Sequence, residues 1–425
     1  MKTLLDLVER HRAGAAVGIY SVCSAHPLVI RAALEHAKAI DRPALIEATS
    51  NQVNQDGGYT GLTPAQFRDV VWGLADDVGL ARERILLGGD HLGPNAWQSQ
   101  PAKDALQRAE VLVAEYVRAG FRKIHLDCSM PCGEDPLLTE AVIAERNAAL
   151  CVRAEEAWRA GGGDAPVYIV GSEVPTPGGA QETLHELQVT EPAAALATLE
   201  AHRAAFVRHG LQAAWERVVG LVVQPGVEFD DTRVMDYVPA KARRLSACLD
   251  SQPHLVFEAH STDYQMPEAL AGLVRDHFAI LKVGPALTFA LREAVWALDR
   301  IEQEWLGAEH GSHVRSTVLQ AMRREPRHWT KYYLGSGHAL DLQLEYSLSD
   351  RIRYYWPVPA VAQAMARLTV SFENSKPPLP LLRQYLPAAY QALRGGELAT
   401  DAHSLVMHHI RQVLAEYSAA CDQTG

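Results

Sequence analysis

One pattern recurs eight times between residues 15 and 300 of this chain: an apolar run, a polar tip, a loop and an amphipathic helix. Examples of the apolar run begin at Ala15, Pro43, Val167 and Phe278. Short buried strands that alternate with helices predict a parallel β-sheet. Eight such units favour a (β/α)8 TIM barrel, an α/β fold, over a doubly wound sheet. A Gly-x-Gly-x-x-Gly motif does not follow the first strand, which counts against a dinucleotide-binding fold.

The pattern changes beyond residue 300. Residues 300–325 and 376–420 have the apolar periodicity of helices, without buried strands that end in polar tips. We therefore expect a barrel over residues 1–300 and a helical extension over residues 301–425 that packs on it. Between these helices lies the segment SDRIRYYWP, in which Arg351 and Arg353 could reach the barrel mouth and bind a phosphate or carboxylate. A structural ion-pair cluster is an equally good interpretation of the two arginines.

The charge of the chain limits its partners. A net charge of −11 is spread over 425 residues without a long basic run, which argues against nucleic acid and anionic membrane surfaces. A few local basic groups could still bind a small anion. The sequence opens without a charged-then-apolar leader and contains no apolar run as long as a membrane span. Six scattered cysteines argue against a disulfide framework, so we expect a cytoplasmic protein with reduced thiols.

Polar residues stand where the predicted strands end. In ILLGGDHLGPNAW, Asp90 and His91 follow a buried apolar run and precede a loop. Active sites of TIM barrels lie at the carboxyl ends of the strands, and side chains alternate between the two faces of each strand. The polar residues on the interior faces should therefore meet at one mouth. The set expected there is Glu47, His91, Asp127, Glu173, Gln224, His260 and Lys282, with Asp90 and Asp263 beside them.

So many carboxylates and imidazoles would repel one another and be costly to bury unless a cation offset them. Two histidines with one or two carboxylates suit Zn²⁺, Mn²⁺, Co²⁺ or Ni²⁺. We predict His91, Glu173 and His260 as the ligands, with Zn²⁺ first among these metals. Asp127 is a further ligand or a catalytic group. His125 shares a face with Asp127, yet a core histidine with satisfied hydrogen bonds is an equally good interpretation. Glu47 and Glu258 could orient the ligands.

A metal with an open position beside free carboxylates suits chemistry through an enediolate, in which a carboxylate moves the proton. Aldol cleavage, aldol condensation, isomerisation and epimerisation of sugars all fit. The candidate catalytic carboxylates are Asp90, Asp127 and Asp263. Lys282 could indicate a Schiff-base aldolase. Because its carboxylate-rich surroundings would hold this lysine charged, we expect it to bind substrate or to form ion pairs.

Several segments closely resemble one known family. They are GGDHLGPNAW, KIHLDCSMP, VGSEVPTPGG, VVQPGVEFD, FEAHSTDYQ, LKVGPALTFALREA and SLSDRIRYYWP, and the family is GatZ/KbaZ, the larger subunit of class II tagatose-bisphosphate aldolase. The resemblance covers nearly the whole chain and implies a TIM barrel related to class II ketose-bisphosphate aldolases. Members have been labelled tagatose 6-phosphate kinases or non-catalytic subunits, and some resemble ketohexose 4-epimerases. The kinase label finds no support in the sequence, which lacks a Gly-x₄-Gly-Lys-Ser/Thr loop and a kinase-type metal and base motif.

The resemblance also assigns site residues. Asp90-His91 matches the Asp-His pair that class II aldolases carry after the third strand, and His260 matches their histidine after the seventh. Their zinc histidine after the sixth strand is not matched, because this chain has Gln224-Pro225-Gly226; Glu173 could replace it. The resemblance implies phosphate binding by the strand 7 and 8 loops, through Ser261, Thr262, Gly284 and Thr288. The other residues expected to bind substrate are Ser21, Glu47, Gln52, Gln224, Lys282 and Arg353.

Three functions remain open on the sequence. The first is a metal-dependent enzyme acting at C3–C4 of a ketohexose or its phosphate, of the tagatose or fructose type, as an aldolase or a 4-epimerase. The second is a non-catalytic partner that stabilises a separate, smaller GatY/KbaY-like aldolase subunit. The third is a metal-dependent isomerase of another sugar acid. The chain could act with such a subunit or as a homo-oligomer.

Overall fold

The computed structural model describes residues 2–172, 180 and 187–423. Eight parallel strands close into a barrel, which confirms the fold that the eight sequence units predicted. A small antiparallel hairpin, β7 with β8, is inserted between the sixth and seventh barrel strands. The strands are β1 (Ile19–Val22), β2 (Ala44–Thr49), β3 (Ile85–Leu92), β4 (Lys123–Leu126), β5 (Val167–Gly171), β6 (Val218–Val222), β7 (Glu228–Phe229), β8 (Val234–Met235), β9 (Val256–Ala259) and β10 (Ile280–Val283).

Helices surround the barrel. They are α1 (Lys2–Arg12), α2 (Pro27–Ala39), α3 (Pro64–Val78), α4 (Ala102–Arg118), α5 (Glu140–Gly161), α6 (Pro192–Arg208), α7 (Gln212–Trp215), α8 (Pro239–Ala247), α9 (Pro267–Arg275) and α10 (Pro285–Leu306). Thr63 and Pro64 begin α3, where the Thr63 hydroxyl and the Gln66 side chain form a reciprocal capping box. No described helix is long and apolar enough to cross a membrane. All six cysteines, each of which the structure describes, are free thiols.

The remaining helices form the C-terminal extension. They are α11 (Val314–Arg324), α12 (His338–Tyr346), α13 (Pro359–Asn374), α14 (Leu379–Tyr385), α15 (Pro387–Arg394) and α16 (Ala402–Cys421). The continuous helix α10 crosses the boundary that the sequence predicted at residue 300. Helix α16 packs on α2, α9 and α10, and the carbonyl of Cys421 accepts a 2.9 Å hydrogen bond from the N–H of Gly18 beside β1. The extension is thereby joined to the barrel itself.

The half of the barrel interior nearest the N-terminal ends of the strands is apolar. Ile19, Leu45, Leu86 and Val256 belong to one buried cluster with Leu4 and Val8 of α1. Helix α1 therefore closes the N-terminal end of the barrel, as its amphipathic sequence allows. Polar side chains begin above this layer, so the functional groups are confined to the opposite, C-terminal end.

Glycines in and after β3 leave space for the polar groups at the C-terminal end of the barrel. A Cβ atom on Gly88 would lie 2.7 Å from the Glu47 side chain, which occupies that space. The pairing of β3 with β4 shifts register between Gly89 and Leu92, and His91 within this shift has a left-handed φ of 47°. The irregularity changes the direction of the side chains at the end of β3, as β-bulges next to active sites commonly do.

A matched pair of glycine substitutions tests the close approach of β3 and β4. A Cβ atom on Gly93 would lie 1.7 Å from the carbonyl oxygen of Asp127, so Gly93→Ala should lower the free energy of unfolding by at least about 3 kcal/mol. Gly73 lies in the exposed face of α3 with open space around its Cα, so Gly73→Ala should raise it by about 0.5 kcal/mol. Urea unfolding measures both, and equal stability of the two variants would contradict this packing.

Candidate active site

A cavity of about 1470 Å³ opens at the carboxyl ends of the barrel strands. Residues at or after the carboxyl ends of β1, β2, β3, β4, β5, β9 and β10 line it, together with β7 and four residues of the extension. The barrel contributes Gln52, Tyr59, Asp90, His91, His260, Asp263 and Lys282, and the extension contributes Lys331, Tyr332, Arg353 and Tyr354. The cavity lies where active sites of TIM barrels are found.

Three buried histidines converge at the base of this cavity. The ring of His91 lies 5.1 Å from that of His125 and 4.9 Å from that of His260, and the rings of His125 and His260 lie 5.2 Å apart. They come from the consecutive strands β3 and β4 and from the end of β9, which lies far from both in the sequence. The backbone N–H of His91 also lies 3.2 Å from Nδ1 of His125. The cluster therefore includes His125, for which the sequence left both interpretations open.

A carboxylate contacts each of these imidazoles. Nδ1 of His91 lies 2.7 Å from Oδ2 of Asp127, and Nε2 of His260 lies 2.9 Å from Oε1 of Glu258. Nδ1 of His125 lies 3.0 Å from Oδ1 of Asp90, while its Nε2 is buried and has no hydrogen-bond partner among the described residues. Carboxylates that orient histidines in this way are typical of metal sites, because they leave the second ring nitrogen as the ligand.

The surroundings set different protonation states in the cluster. Burial lowers the pKa of His260 to about 4, so this imidazole is neutral near pH 7. Burial would also lower the pKa of His91, but the carboxylates of Asp90 and Asp127 outweigh it and raise that pKa above its usual value. For Asp90 the cations of His91 and Lys282 outweigh burial and hold the pKa well below its usual value. Asp90 is therefore an ionised carboxylate that faces the cavity.

A buried charge network lies beneath the histidines. Nζ of Lys123 lies 2.7 Å from Glu47 and 2.6 Å from Glu258, and all three side chains are 0% exposed. Lys282 pairs with Glu47 and lies 2.9 Å from Asp90. Burial would lower the pKa of Lys282, but Asp90 and its other anionic neighbours raise it well above the usual value. A lysine held as the ammonium ion is a poor Schiff-base nucleophile, and its ion pairs agree with the role that the sequence favoured.

The residues present fit a divalent cation. One ligand atom from each of Asp90, His125, Glu258 and His260 lies within 4.8 Å of the other three. The unpartnered Nε2 of buried His125 supplies a ligand atom without another use. Three buried carboxylates, Glu47, Asp90 and Glu258, pair with the ammonium groups of Lys123 and Lys282, which leaves an excess of negative charge for a metal to offset. His91 borders this group, and the predicted ligand Glu173 lies outside the described residues.

The structure divides the other predicted substrate contacts into two groups. Gln52, Ser261, Lys282, Gly284, Thr288 and Arg353 line the cavity. Ser21, Glu47, Gln224 and Thr262 are not among the described residues that line it. The hydroxyl of Ser21 donates to Glu47 at 2.7 Å, and that of Thr262 donates to the carbonyl of Lys282 at 2.7 Å. The side-chain oxygen of Gln224 accepts from the N–H groups of Gly226 and Val227 at 2.8 and 3.0 Å. The side chains of these four residues are therefore hydrogen-bonded to other groups of the chain.

The predicted catalytic residue Asp263 has a structural contact as well. Its Oδ1 accepts hydrogen bonds from the N–H groups of Gly284 and Ala286, at 2.9 and 2.8 Å, at the start of α10. Burial raises its pKa to about 6 in spite of these bonds. The hydroxyl of Thr288 donates to the carboxylate of Asp350. The donors that the sequence assigned to a phosphate in this loop are thus already bound to carboxylates of the chain.

Sequence reasoning missed several residues of the site. Lys123 was passed over, although strand alternation places it on the same face as His125 and Asp127. Tyr59, Lys331, Tyr332 and Tyr354 also line the cavity. Tyr354 belongs to the aromatic and basic segment that the sequence singled out. No sequence signal distinguishes Tyr59 or Lys331 from other loop residues, because only the fold brings them to the mouth.

Comparison with known proteins agrees with the resemblance seen in the sequence. The structure of a probable tagatose 6 phosphate kinase from Sinorhizobium meliloti 1021 is 48% identical, with 95% of this chain and 100% of that chain covered and a TM-score of 0.88. Fructose-bisphosphate aldolase from Campylobacter jejuni is 15% identical, with 87% and 93% covered and a TM-score of 0.41. The YdjI aldolase from Escherichia coli K12 is 10% identical, with 83% and 95% covered and a TM-score of 0.42. The family described as D-tagatose-1,6-bisphosphate aldolase subunit GatZ/KbaZ-like matches residues 4–422, and this chain belongs to that family.

Proposed function

We propose that this chain is a metal-dependent carbohydrate enzyme that acts at the C3–C4 bond of a tagatose- or fructose-type ketohexose or its phosphate. Aldol and retro-aldol chemistry would make it an aldolase or a ketose 4-epimerase. The observation that carries the proposal is the cluster of three buried histidines with carboxylates on their ring nitrogens, at the base of a large cavity. A histidine cluster of this kind has no use in a purely structural barrel, where apolar side chains would pack better.

His91, His125 and His260 would hold the cation, with Glu258 or Glu173 as a further ligand. A divalent cation, for which Zn²⁺ is the first choice, polarises a carbonyl when bound and stabilises the charge that develops on its oxygen. The histidines of β3, β4 and β9 would supply three imidazoles even though Gln224 stands where class II aldolases have a histidine. Asp127 orients His91, and Glu258 orients His260. Lys123 and Lys282 hold the carboxylates Glu47, Asp90 and Glu258 in place.

Asp90 is the best candidate to move the proton. It lines the cavity, is ionised, and lies 2.9 Å from Nζ of Lys282. An ionised carboxylate in this position can accept the proton of a sugar hydroxyl as the C3–C4 bond breaks and return it when the bond forms again. If the aldehyde fragment turns before the bond re-forms, the product is the C4 epimer. If the fragments leave, the reaction is an aldol cleavage.

One observation favours a second candidate, a non-catalytic subunit that stabilises a smaller aldolase subunit. The side-chain oxygen of Gln224 is hydrogen-bonded within the turn after β6, so Gln224 does not replace the missing histidine. Turnover of a ketose or ketose phosphate by the isolated, metal-loaded chain separates the two candidates. Turnover without a partner supports the enzyme, and turnover only after a smaller aldolase subunit is added supports the second candidate.

Removing one imidazole should remove the metal. We expect His125→Ala and His260→Ala to retain less than about a tenth of the wild-type metal affinity, because loss of a group that only orients a ligand already costs about ten- to a hundredfold. Activity should fall in parallel while the circular dichroism spectrum stays unchanged. Elemental analysis after dialysis measures the metal, and His254→Ala, at an exposed histidine outside the site, is the control. Full metal content in both site variants would refute the assignment of these ligands.

Asp90→Asn should affect turnover more than metal content. Loss of a proton-transfer group costs about a hundredfold or more in rate, whereas the three imidazoles remain to bind the cation. Rate and bound metal are measured on the same preparation. Asp104→Asn, an exposed change in the first turn of α4, is the matched control. An Asp90→Asn variant as active as the wild type would rule out the proton-transfer role of Asp90.

A further inference from the structure

Two groups of potential metal ligands in the barrel share one carboxylate, that of Asp90. The first group, at the proposed metal centre, consists of Asp90, His125, Glu258 and His260. In the second group, Sγ of Cys23 and one carboxylate oxygen from each of Glu47 and Asp90 lie within 4.8 Å of one another. Enzymes that use two metal ions hold them about 3.5–4 Å apart. Two ligand groups that are joined by one carboxylate could hold such a pair.

The second group already holds a cation, the ammonium group of Lys282. Its Nζ contacts Glu47 and lies 2.9 Å from Oδ1 of Asp90, so it bridges the two carboxylates as a metal ion would. Lys282 lines the cavity together with Cys23 and Asp90, and only 4% of its side chain is exposed. A divalent ion that entered the same place would be repelled by this ammonium group at close range.

The remaining contacts of the second group also lie within the chain. The thiol of Cys23 donates to the carbonyl oxygen of Ser21 at 3.6 Å. The other oxygen of Glu47 accepts from the hydroxyl of Ser21 at 2.7 Å and lies 2.7 Å from Nζ of Lys123. Both oxygens of Glu47 are therefore paired with an ammonium group. The first group differs, because Nε2 of His125 is buried there without a partner among the described residues.

We propose that Lys282 takes the place of a second metal ion, and that Cys23, Glu47 and Asp90 form a latent metal site that opens when this lysine is removed. The inference rests on the metal centre of the proposed function but not on its sugar chemistry. In the native chain the ammonium group keeps the latent site filled, so divalent ions bind only at the histidines. A lysine, and not a metal, then holds Asp90, which leaves its carboxylate able to transfer a proton.

Cobalt substitution of the whole chain tests the proposal. The protein is stripped with a chelator, loaded with Co²⁺ and dialysed, and elemental analysis then measures the bound cobalt. The wild type should hold about one ion per chain. It should lack the near-ultraviolet charge-transfer absorption of a thiolate–cobalt bond, because Cys23 is not a ligand. About two ions per wild-type chain, or a thiolate–cobalt band that Cys23→Ser removes, would overturn the proposal.

Removal of the lysine should open the latent site. Lys282→Ala should hold about two Co²⁺ ions per chain and show the thiolate–cobalt band, since the thiol of Cys23 releases its proton to solvent when it binds the metal. The double variant Cys23→Ser/Lys282→Ala should lose the band. Lys331→Ala, which removes an exposed lysine that also lines the cavity, is the matched control and should bind cobalt as the wild type does. A folded Lys282→Ala variant with the cobalt content and spectrum of the wild type would refute the latent site.

Thermal unfolding of the same variant gives a second measurement. Without metal, Lys282→Ala should have a lower Tm than the wild type, because Glu47 and Asp90 lose a cationic partner. Co²⁺ should then raise the Tm of the variant by more than it raises that of the wild type. If the variant is unfolded without metal, refolding with Co²⁺ decides the question, and failure to recover the fold would overturn the proposal because a metal then cannot replace the lysine.

The two proposals fail in different ways. A wild-type chain that binds no cobalt would refute the metal centre of the proposed function. Equal cobalt content in the wild type and in Lys282→Ala, without a thiolate–cobalt band in either, would refute the latent site and leave the proposed function standing.

Discussion

Burial of three carboxylates, Glu47, Asp90 and Glu258, around two lysines at the C-terminal end of the barrel interior is the constraint on which the rest of the site depends. Charged groups inside a protein are stable only when they are paired and hydrogen-bonded. Lys123 meets this requirement for Glu47 and Glu258, and Lys282 for Glu47 and Asp90. The residual negative charge lies next to three imidazoles. The same network therefore holds the ligands in place and creates the need for a cation.

Other features of the fold provide for this network. Gly88 has no side chain, so Glu47 can occupy the interior beside β3. The register shift after Gly89 places His91 in contact with Asp127 and with His260, which directly follows β9. Apolar residues fill the N-terminal half of the barrel interior, and α1 closes that end. Polar chemistry is thus confined to the end of the barrel that opens to solvent, where the substrate can enter.

The sequence predicted the barrel because strands buried on both faces and amphipathic helices each leave a clear local pattern. Polar strand tips such as Asp90 and His260 could be found in the same way, since alternation places them toward the mouth. Lys123 could have been found by that rule, because it shares a strand face with His125 and Asp127. Asp263 was assigned by its position in a loop, and only the fold shows that it binds the N–H groups that begin α10. Tyr59 and Lys331 reach the cavity only through tertiary structure, which local patterns do not encode.

NMR of D-fructose 6-phosphate in D₂O with the isolated, metal-loaded chain tests the central claim, cleavage of the C3–C4 bond, most directly. The account predicts the C4 epimer or the two three-carbon fragments, and it predicts that a chelator abolishes them. The hydrogen on C4 should be retained, because C4 becomes the aldehyde carbon without losing it. Deuterium at C4 of the product would contradict a retro-aldol route. No conversion by a chain that carries its metal would contradict catalysis by this subunit alone.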